Sequence, residues 1–404
     1  MPTPELSVVV VHHRGEDHLR ESLAAIAASA KGLASETVLV DNTEEGGSLD
    51  AVLREHPSVR RVGAGGNAGF AGGCRLGVEA ARAPAIAFVN DDAAVEVPAL
   101  PRLLEILSKA PEDVSAVAGR LLDRSGERND FSDGFLTFDG HAFQKDVGRP
   151  VSELTQSLAP EERLFACGGL MAVRRDVFLS TGGFDDDYFA YLEDVDFGWR
   201  QWIFGRRILS APGAVARHRG GATGEALGIF SRGFLFEKNA FATAFKNFDE
   251  EHFRTLMPAI LGAFVGRIAH MLAARNPAAG ELLRDPYAAP SGNGRSSSSS
   301  GFWRRAFGIS ESAGRTASVA VDDPLTIAHL RALLWIDRHQ EALARKRREV
   351  QAKRRRSDSE IFTRFPLRIV PTYPGDERFD GPYFQELLGR SPALVRSSLQ
   401  EIFG

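Results

Sequence analysis

The chain has 404 residues, of which 43% are hydrophobic and 25% charged, with a formal net charge of −4. That is long for one domain and comfortable for two, with enough apolar material for a sizeable core, and the small net charge argues neither for nor against a polyanionic partner. Its two cysteines, Cys74 and Cys167, exclude a disulfide framework and any paired-cysteine metal site, which fits a reducing cytoplasm.

Strand-like and helix-like runs alternate from the N-terminus. Leu6 to Val11 is apolar but only strand length, too short for a secretory leader. A helix follows through Leu19, Leu23 and Ile26, then strands over Glu36 to Val40 and Val59 to Val62, a Gly-rich turn and a further helix. Ala85 to Val89, a helix through Leu100, Leu103, Leu104 and Leu107, and Val114 to Leu122 continue the pattern, which predicts an α/β fold: a mostly parallel sheet with helices on both faces.

Residues 123–165 are rich in Gly, Asp and Ser and read as long loops or a small mixed-sheet excursion. Regularity returns with Phe165 to Arg174, helices near 175–181 and Glu193 to Phe204, and a strand from Arg207 to Ala216 leading to His218. A helical region runs from Phe230 to Ala274. Its apolar part, Leu256 to Ala274, is broken by Arg267 and His270, so a core or interfacial helix is expected over a membrane span.

The segment 276–322, with Pro277, Pro286, Pro290 and the block Ser296 to Ser300, reads as a flexible linker. Pro324 to Arg356 reads as one long appended helix whose later part carries Arg345, Lys346, Arg347, Arg348, Lys353, Arg354, Arg355 and Arg356. This run is either a solvated face or a surface for anionic lipid headgroups. The expected organisation is therefore 1–250 as the α/β domain, 251–275 as a helical segment on or near it, 276–322 as linker, and 323–404 as a helical, basic extension.

The chemistry-bearing residues cluster at predicted strand ends, where ligands bind in open parallel sheets. Asp91 and Asp92 end the run Ala87-Phe-Val-Asn90; adjacent acids there imply a cation, Mg2+ or Mn2+, shared with phosphates and water, although one of them could instead cap the next helix. His218, after a strand and before Gly220-Gly221, is a candidate ligand or a structural histidine. Asp41 ends the second strand and can meet a ribose hydroxyl or base N–H, or form an Asx turn.

The loop Gly63-Ala-Gly65-Gly66-Asn67-Ala-Gly69-Phe70 lets a backbone approach a phosphate, but it follows the third strand and lacks the dinucleotide fingerprint. Glu193, Asp194 and Asp196 open a helix, where acids favour the positive end of its dipole. Their apolar neighbours Tyr188, Phe189, Tyr191 and Leu192 would also raise a carboxyl pKa and make Asp194 or Glu193 a better general base.

Taken together, Val8-Val-Val-Val-His12-His13-Arg14, Val40-Asp41-Asn42, Asn67-Ala-Gly69-Phe70, Asn90-Asp91-Asp92, Gly168-Gly169, Gly182-Gly183-Phe184-Asp185, Glu193-Asp194-Val-Asp196 and His218 resemble family 2 glycosyltransferases of the GT-A fold, closest to the rhamnosyltransferase and galactofuranosyltransferase branch. The resemblance covers roughly residues 5–250. It implies an inverting transfer from a nucleotide-diphosphate sugar (dTDP- or UDP-, with dTDP-rhamnose preferred) to a saccharide or lipid-linked saccharide in surface polysaccharide synthesis.

On that resemblance Asp92, His218 and Asp91 would hold Mg2+ or Mn2+, and Asp194, with Glu193 beside it, would be the base. His12, His13, Arg14, Asp41, Asn67, Gly69, Phe70, Asn90, Asp91, Gly168 and Gly169 would line the donor. Asn90 stands where the family's metal motif begins with an acid, and His12-His13 replaces the usual Thr-aromatic pair. The implied setting is cytoplasmic, with peripheral contact at an anionic inner membrane face and no nucleic-acid partner. A nucleotidyltransferase and a non-catalytic scaffold of the same fold are the alternatives.

Overall fold

The computed structural model describes residues 3–43, 49–155, 157–220, 222–275, 321, 323–391 and 394–403. Strands β1 (Leu6–His12), β2 (Ser35–Asp41), β3 (Val59–Gly63) and β4 (Ala85–Val89) pair in parallel in the order β4-β1-β2-β3. Helices α1 (Glu16–Ser29), α2 (Asp50–Glu55) and α3 (Gly69–Ala80) connect them. Because side chains alternate along a strand, Val8 and Val10 join one apolar cluster and Val9 the other, so this sheet is buried on both faces.

The chain continues through β5 (Ala93–Val95), α4 (Ala99–Lys109), β6 (Val114–Asp123), the short β7 (Asn129–Phe131) and the hairpin β8 (Gly134–Leu136) to β9 (Ala142–Gln144). Then come β10 (Glu162–Arg163), β11 (Leu170–Arg174), α5 (Arg175–Ser180), α6 (Glu193–Ile203) and β12 (Arg207–His218). The sheet order is β10-β12-β6-β11-β4-β1-β2-β3. Strand β11 runs antiparallel between β4 and β6, with Leu170 opposite Val89, so Gly168 and Gly169 lie at the edge where β1 and β4 end. Strand β5 folds back antiparallel to β12 and sets Ala93 opposite His218. The mostly parallel sheet with helices on both faces is thus the observed architecture, and the irregular 123–165 stretch is the small-sheet excursion.

The C-terminal half is helical: α7 (Ala222–Asn247), α8 (Glu250–Arg275), α9 (Pro324–Arg338), α10 (Gln340–Ala352), α11 (Asp358–Arg364) and α12 (Pro382–Leu388). The expected linker falls, apart from Val321, outside the described residues. The single appended helix is corrected to two. His339 leaves helical geometry at φ −115°, ψ 16°; its ring stacks on Trp335 and shares a 2.7 Å hydrogen bond with the Trp335 carbonyl, which ends α9.

The basic run is not simply a solvated face. Lys346 reaches Asp185 and Asp187, Arg347 donates to the Phe245 and Phe248 carbonyls, and Arg356 to those of Arg206 and Gly205. Helices α8 and α11 are tied by reciprocal caps: the Asp249 N–H donates to Asp358 Oδ2 at 2.6 Å and the Asp358 N–H to Asp249 Oδ2 at 2.9 Å.

Helix α8 is long and apolar enough to cross a membrane by length and composition. Leu256, Ala259, Ile260 and Ala263 enter the main core, while Leu261 and Val265 stay exposed. Its Arg267, 2% exposed, donates to both oxygens of Asp376 at 2.7 and 2.9 Å and to Asp139 Oδ2 at 2.8 Å. One guanidinium therefore joins α8, the turn between β8 and β9, and the C-terminal segment. Removing one member of a buried ionic group leaves its partners uncompensated and costs about 3–5 kcal/mol. Arg267→Met is accordingly expected to lower stability by that amount in urea unfolding, whereas Arg254→Met, at an exposed pair with Glu250, leaves the midpoint nearly unchanged.

Candidate active site

Four strand ends and one helix start meet at the edge of the sheet. From β1, His12 is 1% exposed, and its Nδ1 lies 2.6 Å from Asp91 Oδ2. His12 therefore positions Asp91 and does not present its ring to a base, contrary to the expectation that it lines the donor. His13 reaches the Asn42 carbonyl at 3.0 Å and Asn67 at 3.3 Å, linking β1, β2 and the Gly-rich loop. The Gly69 N–H donates to Asn67 Oδ1 at 3.0 Å, and its carbonyl accepts from Asn42 at 2.8 Å. With φ +72° and a hypothetical Cβ only 2.4 Å from the Phe189 carbonyl, position 69 admits only glycine.

A cleft of about 100 Å3 opens here, lined by His13, Arg14, Asn42, Asn67, Phe70 and Asp91. Asp41 lies beside it, 4% exposed, with one oxygen accepting from Arg61 and the other from the Thr43 N–H and hydroxyl. Burial raises its pKa, but those hydrogen bonds outweigh it and hold the carboxyl below its usual range. In this conformation Asp41 meets Arg61, not the cleft.

The β5–β12 register brings Asp92 and His218 together: Oδ1 and Nε2 are 3.1 Å apart. His218 Nδ1 lies 2.6 Å from Asp130 Oδ2, on β7. Burial lowers the His218 pKa, but the hydrogen bonds and charges of Asp130 and Asp92 push it up to about 10. Asp92, raised by burial, is drawn below its ordinary value by the His218 hydrogen bond and charge. One buried carboxylate oxygen and one imidazole nitrogen side by side suit Mg2+ or Mn2+, with the remaining coordination left to phosphate and water. The Asp130 carboxylate fixes Nδ1 as the donor, leaving Nε2 as the ligand atom once its proton is displaced. Asp92 also borders a hollow of about 190 Å3 lined by His18, Arg124, Arg217 and Arg219 together with Asp17 and Glu21.

Gly168 and Gly169 connect this centre to the acids of α6. The Asn90 N–H donates to the Gly169 carbonyl at 3.1 Å, and the Gly168 N–H donates to Asp194 Oδ2 at 2.9 Å. Asp194 Oδ1 accepts from the Val195 N–H at 2.8 Å at the helix start. A Cβ on Gly168 would sit 2.8 Å from the Phe70 ring. Burial raises the Asp194 pKa against these N–H groups. Glu193 is 5% exposed with Oε2 unpartnered among the described residues, and burial, then the Asp194 charge, push its pKa well above the ordinary range. The upward push is the larger on Glu193, and Asp194 is the more exposed of the two carboxyls.

The loop that delivers these acids has three non-glycine residues at positive φ: Phe189 at 65°, Tyr191 at 70° and Leu192 at 64°. Asn239 of α7 holds it, with Nδ2 at 3.1, 2.8 and 2.7 Å from the carbonyls of Tyr188, Ala190 and Tyr191. Lys246 bonds Asp185 at 2.6 Å and Asp196 at 3.1 Å, and Lys346 of α10 bonds Asp185. Asp196, bonded also to Arg200 at 2.9 Å, is a structural acid. Sequence reasoning missed Asp130, Asn239, Lys246 and Lys346. Only Asp130 carried a local signal, as a carboxylate beside a strand-like Phe131; the others lie far along the chain.

Residues 7–181 match the model of the family described as Glycosyl transferase family 2. The chain is 27% identical over 243 residues to the N-acetylglucosaminyl-diphospho-decaprenol L-rhamnosyltransferase of Mycobacterium tuberculosis, covering 55% of this chain and 78% of that protein. It is 24% identical over 204 residues to the low-salt glycan biosynthesis hexosyltransferase Agl10 of Haloferax volcanii, covering 48% of this chain and 61% of that one. Among solved structures, GalNAc-T7 with UDP, GalNAc and Mn2+ aligns with a TM-score of 0.47 at 16% identity, over 72% of this chain and only 53% of the other.

The raised Glu193 pKa has a thermodynamic consequence. The native state holds this proton more tightly than the unfolded chain, whose glutamate titrates near about 4.3, so the favourable contribution is full below that pH and is lost as pH rises through the native pKa. Glu193→Gln is expected to raise the melting temperature relative to wild type at pH 7–8 and not at pH 4. Parallel melting profiles for the two proteins across this range would contradict it.

Proposed function

We propose that the chain is a family 2 glycosyltransferase, the family whose model matches residues 7–181, and that it transfers a sugar, with inversion, from a nucleotide-diphosphate donor to a saccharide or lipid-linked saccharide hydroxyl. The observation that carries this reading is the pairing of Asp92 with His218 at 3.1 Å, joined through Gly168 and Gly169 to Asp194. His13, Asn42 and Asn67 face the nucleoside end of the donor, and Phe70 borders the sugar next to Gly168.

Asp92 and His218 would hold Mg2+ or Mn2+, and the second oxygen of Asp91 would be free for the donor. When bound, the cation offsets charge on the departing nucleoside diphosphate. Arg124, Arg217 and Arg219, which line the hollow bordered by Asp92, outnumber Asp17 and Glu21 there and would add positive potential near the cation. Asp194 accepts the acceptor's proton as its oxygen attacks the anomeric carbon opposite the diphosphate, and attack from that side inverts the configuration. The stronger upward push on Glu193 favours Asp194 as the carboxylate that takes the proton.

A dTDP-rhamnose donor and a lipid-diphosphate-linked acceptor in surface polysaccharide synthesis are the preferred specificities; the mycobacterial relative is an L-rhamnosyltransferase acting on N-acetylglucosaminyl-diphospho-decaprenol. Work on such an acceptor suits a cytoplasmic enzyme that touches the membrane peripherally. Exposed Leu261 and Val265 of α8 support that contact better than the basic run, much of which is engaged with the protein itself.

The test is turnover of dTDP-rhamnose and UDP-sugars with Mn2+ and a polyprenyl-diphosphate saccharide, reading release of nucleoside diphosphate. Pyrophosphate release would indicate a nucleotidyltransferase. Asp194→Asn should lower kcat by about 10^2- to 10^4-fold with donor affinity nearly unchanged. Asp92→Ala should weaken Mn2+-dependent donor binding measured by calorimetry. Activity surviving both substitutions would overturn the assignment.

A further inference from the structure

Away from this site, β6 and β12 part. Their pairing runs to Ala118 opposite Ser210 and resumes at Arg120 opposite Val215, so residues 211–214 bulge from the sheet. The gap opens into a chamber of about 940 Å3, lined also by Asp146, Arg149, Thr155, Ser157 and Arg163. That volume lies at the upper end of small-molecule sites.

Four arginines from separate parts of the chain line it: Arg102 on α4, Arg120 on β6, Arg149 in the loop and Arg163 on β10. Three have carboxylate partners, Arg102 with Glu105 at 2.8 Å, Arg149 with Asp146 at 2.8 Å and Arg163 with Glu161 at 2.9 Å. Arg120 has no carboxylate among the described residues. Its Nε donates to the neutral Asn129 Oδ1 at 3.2 Å, and its Nη2 is buried without an acceptor. Asn129 cannot turn to help, because its Nδ2 already faces the carbonyls of Lys145 at 3.1 Å and Asp146 at 3.3 Å. Arg120 as a whole is half-buried, so it brings to the chamber wall a permanent positive charge that no carboxylate among the described residues offsets and that an anion can complete.

We infer that this chamber binds an acidic saccharide, whose carboxylate or phosphate pairs with Arg120 while its hydroxyls meet the polar wall. Ser132, Thr155 and Asp146 offer such hydroxyl and carboxylate partners. The wall also carries apolar surface from Leu154, Pro212 and Val215, as sugar-ring faces require. The fork of Arg120 favours a planar or tetrahedral oxyanion over a neutral sugar. The inference does not depend on the donor reading, since its readout is binding and not transfer.

The test is a thermal-shift titration of the full chain, at fixed ionic strength, with glucuronate, glucose 1-phosphate and, as the neutral control, glucose. Wild type should respond to at least one acid and not to glucose, and the acid that responds tells carboxylate from phosphate. Arg120→Leu should weaken that response at least tenfold, yet melt no lower than wild type without ligand, because it removes an uncompensated charge. Thr155→Trp, which obstructs the mouth without touching Arg120, should abolish the response if Arg120→Leu does not fold. Mn2+-dependent nucleotide binding should persist in both variants. No response of wild type to either acid, or equal responses in wild type and both variants, would overturn the inference.

Discussion

The arrangement rests on a loop that the backbone alone would not adopt. Phe189, Tyr191 and Leu192 all take left-handed φ, a conformation that costs of order 1 kcal/mol or more at each non-glycine position and persists only when the surroundings impose it. Asn239 imposes it by gathering the carbonyls of Tyr188, Ala190 and Tyr191, and Lys246 and Lys346 fasten the acids on either side. Without those contacts α6 would begin elsewhere, and Asp194 would lose the Gly168 N–H that aims it. The C-terminal helices thus act on the site from a distance, by holding in place the loop that leads into Glu193 and Asp194.

The same logic sorts the carboxylates. Asp185, Asp196, Asp41 and Asp139 each face a cation and are held low in pKa, so they are fixed structural charges. Glu193 and Asp194 face no cation in their hydrogen-bonding shell, only burial, one another and helix-start N–H groups, and both are raised. Asp92 stands between these classes: its neighbour is an imidazole whose proton a divalent ion can displace. Adjacent acids in one short stretch therefore carry distinct roles because their partners differ.

Much of the fold was legible along the chain. The apolar runs of β1 and β4 and the spacing of Leu100, Leu103 and Leu107 follow from side-chain periodicity, which is local. Asp92, His218 and Asp194 were legible as acids or an imidazole at the ends of such elements. Their mutual placement was not: it depends on β5 folding back on β12 and on β11 entering the sheet in reverse between β4 and β6. The break at His339 was hidden as well, because it comes from a histidine that bonds and stacks on its own helix.

The alternation of strands and helices through residue 122, the two-sided sheet and the identity of the acids at its edge follow from the sequence alone, because periodicity and residue chemistry are properties of short segments. The tertiary structure decided which of those acids are neutralised, which nitrogen of His218 is left for a ligand, and that the basic C-terminal helix reaches Asp185 and Asp187. Those outcomes turn on contacts between residues far apart in the chain, such as Asp130 with His218 and Lys346 with Asp185, and pKa follows those contacts.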